Sequence, residues 1–151
     1  MTDEHNADVV QWREVTQTIV MGQIEGVTGN CFQAAIASVL DKPLEAVPHF
    51  SQFTWWPAAL ELWARGLAPV GLTYKEKYED GVQIPDRLCL VYGRSERDVD
   101  HAVVGCGGRI VWDPHPSRTG LITITGIGWF EKWAHNDHVC FVCRQPRRND
   151  A

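Results

Sequence analysis

The chain has 151 residues, 44% of them hydrophobic and 22% charged, which suits one globular domain and excludes a chain that is disordered throughout. The net charge of −5, with dispersed lysines and arginines, offers no basic surface for nucleic acid, and no apolar stretch is long enough to span a membrane. Because the start of the chain also lacks the apolar region of a signal peptide, we expect a cytoplasmic protein whose five cysteines are free thiols.

The predicted domain covers residues 9–144, and the polar segments 1–8 and 145–151 are expected to be tails. Its first element is a β-branched strand over 14–20. A loop punctuated by glycines follows at 21–30 and leads into the first helix.

A buried helix is predicted to begin within the sequence GNCFQAAIASVL, residues 29–40. Asn30 is a favourable N-cap residue, and Gln33 three positions later completes a pattern similar to a capping box. Cys31 is then the first helical residue, ahead of a core stripe at helical spacing that consists of Phe32, Ala35, Ile36, Val39 and Leu40. The thiol is therefore expected at the tip of a buried helix rather than in the middle of its apolar face.

A second helix is predicted from a cap at Thr54 to Gly66, with one apolar face formed by Trp56, Ala59, Leu60 and Trp63. Strands are predicted downstream at 68–74, 87–93, 101–106, 109–113, 121–125 and 138–143. The charged segments 74–80 and 94–100 are interpreted as solvated loops. Helices followed by a run of strands favour an α+β fold with an antiparallel sheet.

The position of Cys31 at a helix tip has a chemical meaning. The thiolate is the nucleophilic form of cysteine, and a thiol needs help from its surroundings to ionise at neutral pH. The unpaired N–H groups of a first helical turn favour an anion, and an imidazolium ion favours it more strongly. Cys31 is thus either a packed core residue or a nucleophile, and the second interpretation requires a histidine within its reach.

The stretch HAVVGCGGRIVWDPHP places His101 and Asp113 at the outer ends of two predicted strands. A two-residue loop at 107–108 would pair His101 with Pro114 and turn Asp113 to the opposite face. A three-residue loop at 106–108 would pair His101 directly with Asp113. The orientation of the histidine by the aspartate requires this second register, or a β-bulge with the same effect.

In that geometry three side chains form an acyl-transfer site. Asp113 holds the imidazole of His101 in one tautomer, and His101 takes the proton of Cys31. The backbone N–H of Cys31 and the side-chain amide of Gln23 are the predicted donors to the oxyanion.

These residues resemble the papain-like cysteine peptidases, specifically the small double-glycine leader peptidase-like group of bacteria and phages. The pattern is Gln23, then Cys31 at the head of an apolar helix, His101 opening HAVV, and Asp113 closing VWDP, within residues 18–125. GNCFQAAIASVLDKPLEAVPHF and DPHPSRTGL are also similar to small stand-alone phage and bacterial proteins of this fold. The resemblance implies a papain-like α+β fold in which the helix with Cys31 packs on an antiparallel sheet. It implies a thiol nucleophile and supplies no substrate.

The predicted function is therefore that of a cysteine hydrolase that cleaves a peptide, isopeptide or other amide bond through a thioester, without a cofactor. The same residues would serve an acyltransferase, a transglutaminase or a glutamine deamidase. A non-enzymatic binding module that keeps the fold, such as a phage inhibitor of a host protein, is the alternative from another class. The expected partner is a peptide or protein substrate, or a host protein, and not nucleic acid or a membrane.

Four residues are predicted to contact the substrate. Asn30 precedes the nucleophile, and His115 and Arg118 belong to the proline-rigid loop DPHPSR. Trp55 is predicted to line a groove, whereas its neighbour Trp56 belongs to the core stripe of the second helix. His115 is also the alternative to His101 as the general base.

The stretch HNDHVCFVC at 135–143 contains side chains that zinc accepts, namely His135, His138, Cys140 and Cys143. Strand alternation opposes a metal site, because Cys140 and Cys143 are an odd number of residues apart and point to opposite faces. No metal is therefore predicted. Cys89 and Cys106 are expected to be core residues of their strands.

Overall fold

The computed structural model describes residues 11–133, which form two α-helices followed by five strands. The helices are α1 (Cys31–Val39) and α2 (Trp56–Arg65), with short 3-10 turns between them at Leu44–Ala46 and Phe50–Gln52. The strands are β1 (Leu72–Tyr78), β2 (Cys89–Arg94), β3 (Asp100–Cys106), β4 (Arg109–Trp112) and β5 (Thr123–Lys132). The predicted α+β class is confirmed, and the predicted tails lie outside the described residues.

The strands of the described chain form one antiparallel sheet in the order β1-β5-β2-β3-β4. β5 lies between β1 and β2, because its ten residues pair with both neighbours. A side chain at Gly128 of β5 would collide with the hydroxyl groups of Tyr74 and Tyr92, so this glycine lets both rings lie close to the sheet. β4 is short and forms one edge of the sheet beside β3.

The packing of α1 on the sheet fixes the position of Cys31. Ile36 of α1 is fully buried and forms a core with Leu90 of β2 and Val104 of β3. Removing this apolar surface from water stabilises the contact by about 25 cal/mol for each Å². Cys31 itself packs against the edge of this core, so the helix presents its first residue beside the start of β3.

The predicted strand at 14–20 is wrong, because this segment pairs with side chains and loop backbone instead of a strand. The backbone N–H of Val15 donates to Ser38 Oγ at 3.1 Å. The N–H of Gln17 donates to the carbonyl of Pro114 at 3.0 Å. These contacts tie the segment to α1 and to the loop after β4, where it satisfies its donors without a ladder.

The prediction of a solvated loop at 74–80 is also wrong, since residues up to Tyr78 belong to β1. The strand pairs with β5 from Leu72 opposite Lys132 to Tyr78 opposite Gly126. Alternation places the tyrosines of YKEKY on one face and the lysines on the other. Residues 74–78 thus belong to an amphipathic strand, and their high content of charged residues is the reason that a loop was predicted.

The remaining differences concern the ends of elements. α2 begins at Trp56 with Trp55 in the N-cap position, so Thr54 is not its cap. The strand predicted at 121–125 continues as β5 to Lys132, and the one predicted at 138–143 lies outside the described residues. In residues 11–133, neither helix has the length and hydropathy needed to cross a membrane.

Candidate active site

The start of α1 is held by a side chain that does not cap it. Asn30 is only 1% exposed, and its Oδ1 accepts hydrogen bonds from the N–H groups of Thr18 (3.0 Å) and Ile19 (2.7 Å). Its Nδ2 donates to Thr18 Oγ1 and to Gln33 Oε1. The predicted capping box is therefore absent, and no side chain of the described chain caps α1.

This arrangement assigns Asn30 a structural role. Each polar atom of its side chain is bonded to protein, so the structure does not present Asn30 to a substrate as predicted. The consequence for the helix is chemical, because N–H groups in a first turn without a side-chain cap remain available to an anion. Cys31, half-buried, is the first residue of that turn.

His101 and Asp113 form a buried pair at the end of the sheet. The distance between His101 Nε2 and Asp113 Oδ1 is 2.6 Å, and each side chain is 3% exposed. Asp113 Oδ1 also accepts the N–H of His115 at 2.8 Å, and Oδ2 accepts the N–H of Gly120 at 2.7 Å. With three donors directed at it, the carboxylate is fixed as a hydrogen-bond acceptor for the imidazole.

A β-bulge brings the two residues together. The hairpin closes through the two-residue loop Gly107-Gly108, with Cys106 opposite Arg109, so the predicted three-residue loop does not form. Both glycines have positive φ, as this tight turn requires. The register then shifts, leaving Val111 without a partner before Trp112 pairs with Val104.

The shift changes the face that the end of β4 presents. Val111 and Trp112 both pack toward the core beneath α1, as two consecutive residues do at a bulge. Asp113 therefore falls on the same face as His101 instead of the opposite one. The bulge supplies the geometry for which the sequence required either a longer loop or an irregularity.

The electrostatics of the pair involve Cys31. Burial alone would lower the pKa of His101, but its hydrogen bonds to Asp113 and Cys31, with the charges of both groups, outweigh burial and raise it to about 9. Burial would raise the pKa of Asp113, but the hydrogen bonds from His101, His115 and Gly120 leave it lowered. Because Nε2 of His101 faces Asp113, Nδ1 is the nitrogen left for the thiol. Cys31, His101 and Asp113 thus form a connected chain.

A cleft of about 470 Å³ opens beside this chain. Cys31 and His101 line it, together with Gly29 and Thr28 from the loop before α1. Its remaining walls include the aromatic side chains of Phe32, Trp56, Tyr78 and Tyr92. A substrate carbonyl can therefore reach the sulfur and the imidazole from one cavity.

Two of the glutamines before α1, Gln17 and Gln23, occupy different environments. Gln23, the predicted oxyanion donor, is exposed in the loop, and neither it nor Gln17 is among the residues that line the cleft. Gln17 is 6% exposed, and its Nε2 donates to the carbonyl of Ile19 at 2.8 Å. That carbonyl also accepts the N–H of Asn30, so the amide of Gln17 lies close to the start of α1.

Gln17 is the residue that the sequence reasoning missed. Its backbone N–H bonds the carbonyl of Pro114, so it lies between the first turn of α1 and the loop that carries Asp113. Its buried Oε1 has no hydrogen-bond partner among the described residues. Burial identifies Gln17 as a candidate in the structure. In the sequence, a polar residue within a β-branched segment does not indicate which neighbours will cover it.

The other predicted substrate contacts are distributed around the site rather than in the cleft. Arg118 donates to the carbonyl groups of Asp113 (2.7 Å) and His115 (3.1 Å) and to Thr16 Oγ1 (2.7 Å), and it lies 4.0 Å above the ring of Trp112. Because its donors are engaged within the protein, Arg118 fastens the loop after β4 rather than facing a substrate.

His115 stands edge-on to His101, with 6.1 Å between the ring centres. Its Nδ1 accepts the N–H of Ser117 at 3.0 Å, which holds the ring beside the buried pair rather than on the thiol. Trp55 is 59% exposed and stacks on Phe53, outside the cleft. Trp56, predicted to be a core residue, is the tryptophan that lines the cleft.

Other candidate ligands and thiols lie away from this chain. His49 bonds the carbonyl of Thr28 through Nε2. Cys89 is buried, as predicted, whereas Cys106 is half-buried. Within residues 11–133 no cluster of histidine, cysteine or acidic side chains is arranged to hold a metal ion, and the stretch 135–143 lies outside them.

Comparison with known proteins identifies no relative. No protein-family model matches the chain, and no curated protein or solved structure matches it significantly. The chemistry of the site is therefore argued from its own geometry.

Proposed function

We propose that the protein is a papain-like cysteine hydrolase that acts in the cytoplasm and cleaves a peptide, isopeptide or other amide bond through a thioester. The observation that carries this proposal is the connected chain of Cys31, His101 and Asp113 at the wall of a cleft. A nucleophile, a base bonded to it and a group that orients the base are the parts such a reaction needs. The α+β architecture with Cys31 at the first turn of a buried helix is compatible with this fold.

In the proposed acylation, Nδ1 of His101 carries the proton that came from Cys31, and the thiolate Sγ attacks the carbonyl carbon of the bound amide. The electron pair of the C=O bond moves to oxygen, and its return expels the amine, which takes the proton from His101. The products of this step are a thioester on Cys31 and the free amine. Asp113 stays ionised throughout and holds the imidazole through Nε2.

Deacylation completes the cycle. Water gives a proton to His101 as its oxygen attacks the thioester, and the carboxylic acid and the thiol of Cys31 are released. An amine or alcohol in place of water would make the same site an acyltransferase or transglutaminase. A glutamine side chain as the amide would make it a deamidase.

Two donors are proposed for the oxyanion. The first is the N–H of Cys31, in a helical turn that no side chain caps. The second is the side-chain amide of Gln17, whose Nε2 uses one hydrogen for Ile19 and has another to donate. Gln17 replaces Gln23 in this role because only Gln17 is buried near the start of α1.

A panel of activity-based probes tests the proposal. Acyl fluoromethyl ketones and vinyl sulfones built on peptides, ubiquitin-like tails and small amides are incubated with the protein, and labelling is mapped by mass spectrometry. We expect labelling at Cys31, its loss in Cys31→Ala, and a strong decrease in His101→Gln. If no probe labels Cys31 above the other cysteines, the chain is a binding module and the hydrolase proposal is wrong.

A further inference from the structure

The cleft beside Cys31 is bounded by aromatic side chains that contact one another. The rings of Phe32 and Trp56 meet edge-on at 5.2 Å, and Phe32 meets Tyr92 at 5.9 Å. Tyr78 stacks on Tyr92 with 6.0 Å between ring centres. These four side chains line the same cavity as the thiol. They form one continuous wall, which we call the aromatic wall.

A carboxylate lies among the tyrosine hydroxyl groups of this region. Tyr74 and Tyr78 each donate a hydrogen bond to Glu76 Oε2 at 3.0 Å, and the hydroxyl groups of Tyr74 and Tyr92 are 2.6 Å apart. Burial, then the hydrogen bond to Glu76 and its charge, raises the pKa of Tyr78 to about 12. The phenol therefore stays neutral and donates to the carboxylate.

The alternation of β1 decides which charges face this region. Tyr74, Glu76 and Tyr78 share one face of the strand, whereas Lys75 and Lys77 lie on the other. Lys77 pairs there with Glu79 at 3.1 Å. Glu76 is exposed and does not itself line the cleft, but it shares a strand face with Tyr78, which lines the cleft and donates to its carboxylate.

In the described chain, the cleft lining contains one acidic and one basic side chain. Among the described residues that line the cleft, Asp100 is the carboxylate and His101 is the one basic group. The charge of His101 is offset by the buried carboxylate of Asp113, 2.6 Å away. Asp100 is 3.5 Å from Arg94, which is also 3.4 Å from Asp98, so one guanidinium faces two carboxylates. In the part of the chain that the structure describes, the cation of the cleft lining is thus paired, and Asp100 adds a carboxylate that shares Arg94 with Asp98.

We propose that this cleft binds a positively charged side chain with an apolar stem, the arginine or lysine of a substrate, in a proposal that rests on the hydrolase function above. Aromatic faces attract cations through the ring quadrupole, and the gain grows where water is excluded. The stem of such a residue packs on the rings while Glu76 and Asp100 attract its charge. An acidic substrate residue would meet the same two carboxylates and be repelled.

Binding of small probes of matched shape tests this inference independently of any reaction. N-butylguanidinium carries the charge, N-butylurea is its neutral counterpart, and pentanoate is the anion. Affinity is measured by calorimetry and by protection of Cys31 from iodoacetamide. We expect butylguanidinium to bind about tenfold more tightly than butylurea at low salt, with pentanoate weakest and the difference falling as salt is added. Equal binding of the cation and the urea would overturn the inference.

Isosteric variants locate the effect. Glu76→Gln and Asp100→Asn should each reduce the preference for butylguanidinium over butylurea, and Tyr78→Leu should reduce it while retaining affinity for the urea. Glu79→Gln is the matched control, since it removes a carboxylate that pairs with Lys77 on β1's other face. A preference that Glu79→Gln lowers as much as Glu76→Gln would assign it to overall charge and refute the site.

The two proposals fail separately. A Cys31 that reacts no faster than the other thiols would refute the hydrolase, while calorimetry would still report whether the cleft selects the cation. A selectively reactive Cys31 together with no preference for butylguanidinium would refute the cation site alone.

Discussion

His101 Nε2 lies 2.6 Å from Asp113 Oδ1, in a pair whose two side chains are almost fully withdrawn from solvent. A hydrogen bond of this length between an imidazole and a carboxylate is charge-assisted. It keeps the imidazole charged at neutral pH and in one orientation toward Cys31. The predictions below follow from this pair and from the residues that hold it.

Cys31 should be the most reactive thiol of the chain below pH 8. The imidazolium of His101, with a pKa of about 9, stays charged at pH 6 and favours the thiolate of its neighbour. We expect iodoacetamide to modify Cys31 first at pH 6, and His101→Gln to slow this reaction by about tenfold or more. Peptide mapping by mass spectrometry gives the rate at each cysteine, with buried Cys89 as the unreactive reference. Uniform rates that rise only above pH 8 would contradict the prediction.

Asp113→Asn should lower both the activity and the pKa of His101. Removing the carboxylate removes its hydrogen bond and charge, which raise the pKa of His101, so the value should fall from about 9. The rate of probe labelling should decrease roughly 10²-fold or more, because the imidazole loses its favoured tautomer and its charge stabilisation. An NMR titration of His101 reads the pKa. Asp98→Asn, on an exposed turn, is the control and should change neither quantity.

The contribution of His101 to the free energy of unfolding should disappear at alkaline pH. Its pKa is about 9 in the folded protein and near 6.5 when unfolded, so folding favours the protonated form. The stabilisation is complete below about pH 6.5 and is lost as the pH rises through about 9. The Tm difference between wild type and His101→Gln should therefore be larger by several degrees at pH 6 than at pH 10. Thermal unfolding by circular dichroism measures it, and a constant difference would refute the pair.

Gln17, rather than Gln23, should matter for the oxyanion. Gln17→Leu should weaken the binding of a peptide aldehyde about 10- to 100-fold, because its adduct with Cys31 carries an oxyanion. Alkylation of Cys31 by iodoacetamide forms no oxyanion and should be nearly unchanged. Gln23→Leu, at an exposed position, should alter neither measurement. Equal losses in both assays after Gln17→Leu would indicate a purely structural role.

Arg118 should act on the site through its loop. Arg118→Ala removes the donors to the carbonyls of Asp113 and His115 and to Thr16, together with the contact on Trp112. We expect a loss of about 1–3 kcal/mol in the free energy of unfolding and slower labelling of Cys31. Arg118→Lys should not restore either, since one ammonium cannot replace a forked donor over a ring. A change in KM for acidic substrates alone would instead assign it to substrate binding.

The positions of Cys31, His101 and Asp113 were predictable because each residue belongs to a local pattern. A cysteine before an apolar helical stripe and a histidine and aspartate at the ends of a glycine-turned hairpin are readable within a few residues of sequence. The sequence did not decide the pairing register of the β3–β4 hairpin. The bulge that sets this register depends on packing against α1 and not on the turn.

What the sequence did not reveal depends on contacts between distant segments. Gln17 is buried and bonded to a loop almost a hundred residues away, whereas Gln23, nearer to Cys31 in the sequence, is exposed. Asn30 is a residue type that often caps helices, yet its side-chain oxygen accepts hydrogen bonds from two N–H groups of the preceding segment. The charged residues of β1 made it resemble a loop in the sequence, since a strand with one solvated face has as many charged residues as a loop.

The unpaired Val111 is not needed for the pairing of β3 with β4, but it determines the face on which Asp113 lies. If Val111 paired with Val104 instead, the β3–β4 ladder would run regularly from its turn, with its hydrogen bonds intact, and Asp113 would arrive on the wrong side of the sheet. A one-residue slip of register in this hairpin would thus leave the strands paired while it separated Asp113 from His101. The parity of one short strand therefore decides whether the carboxylate can orient the imidazole.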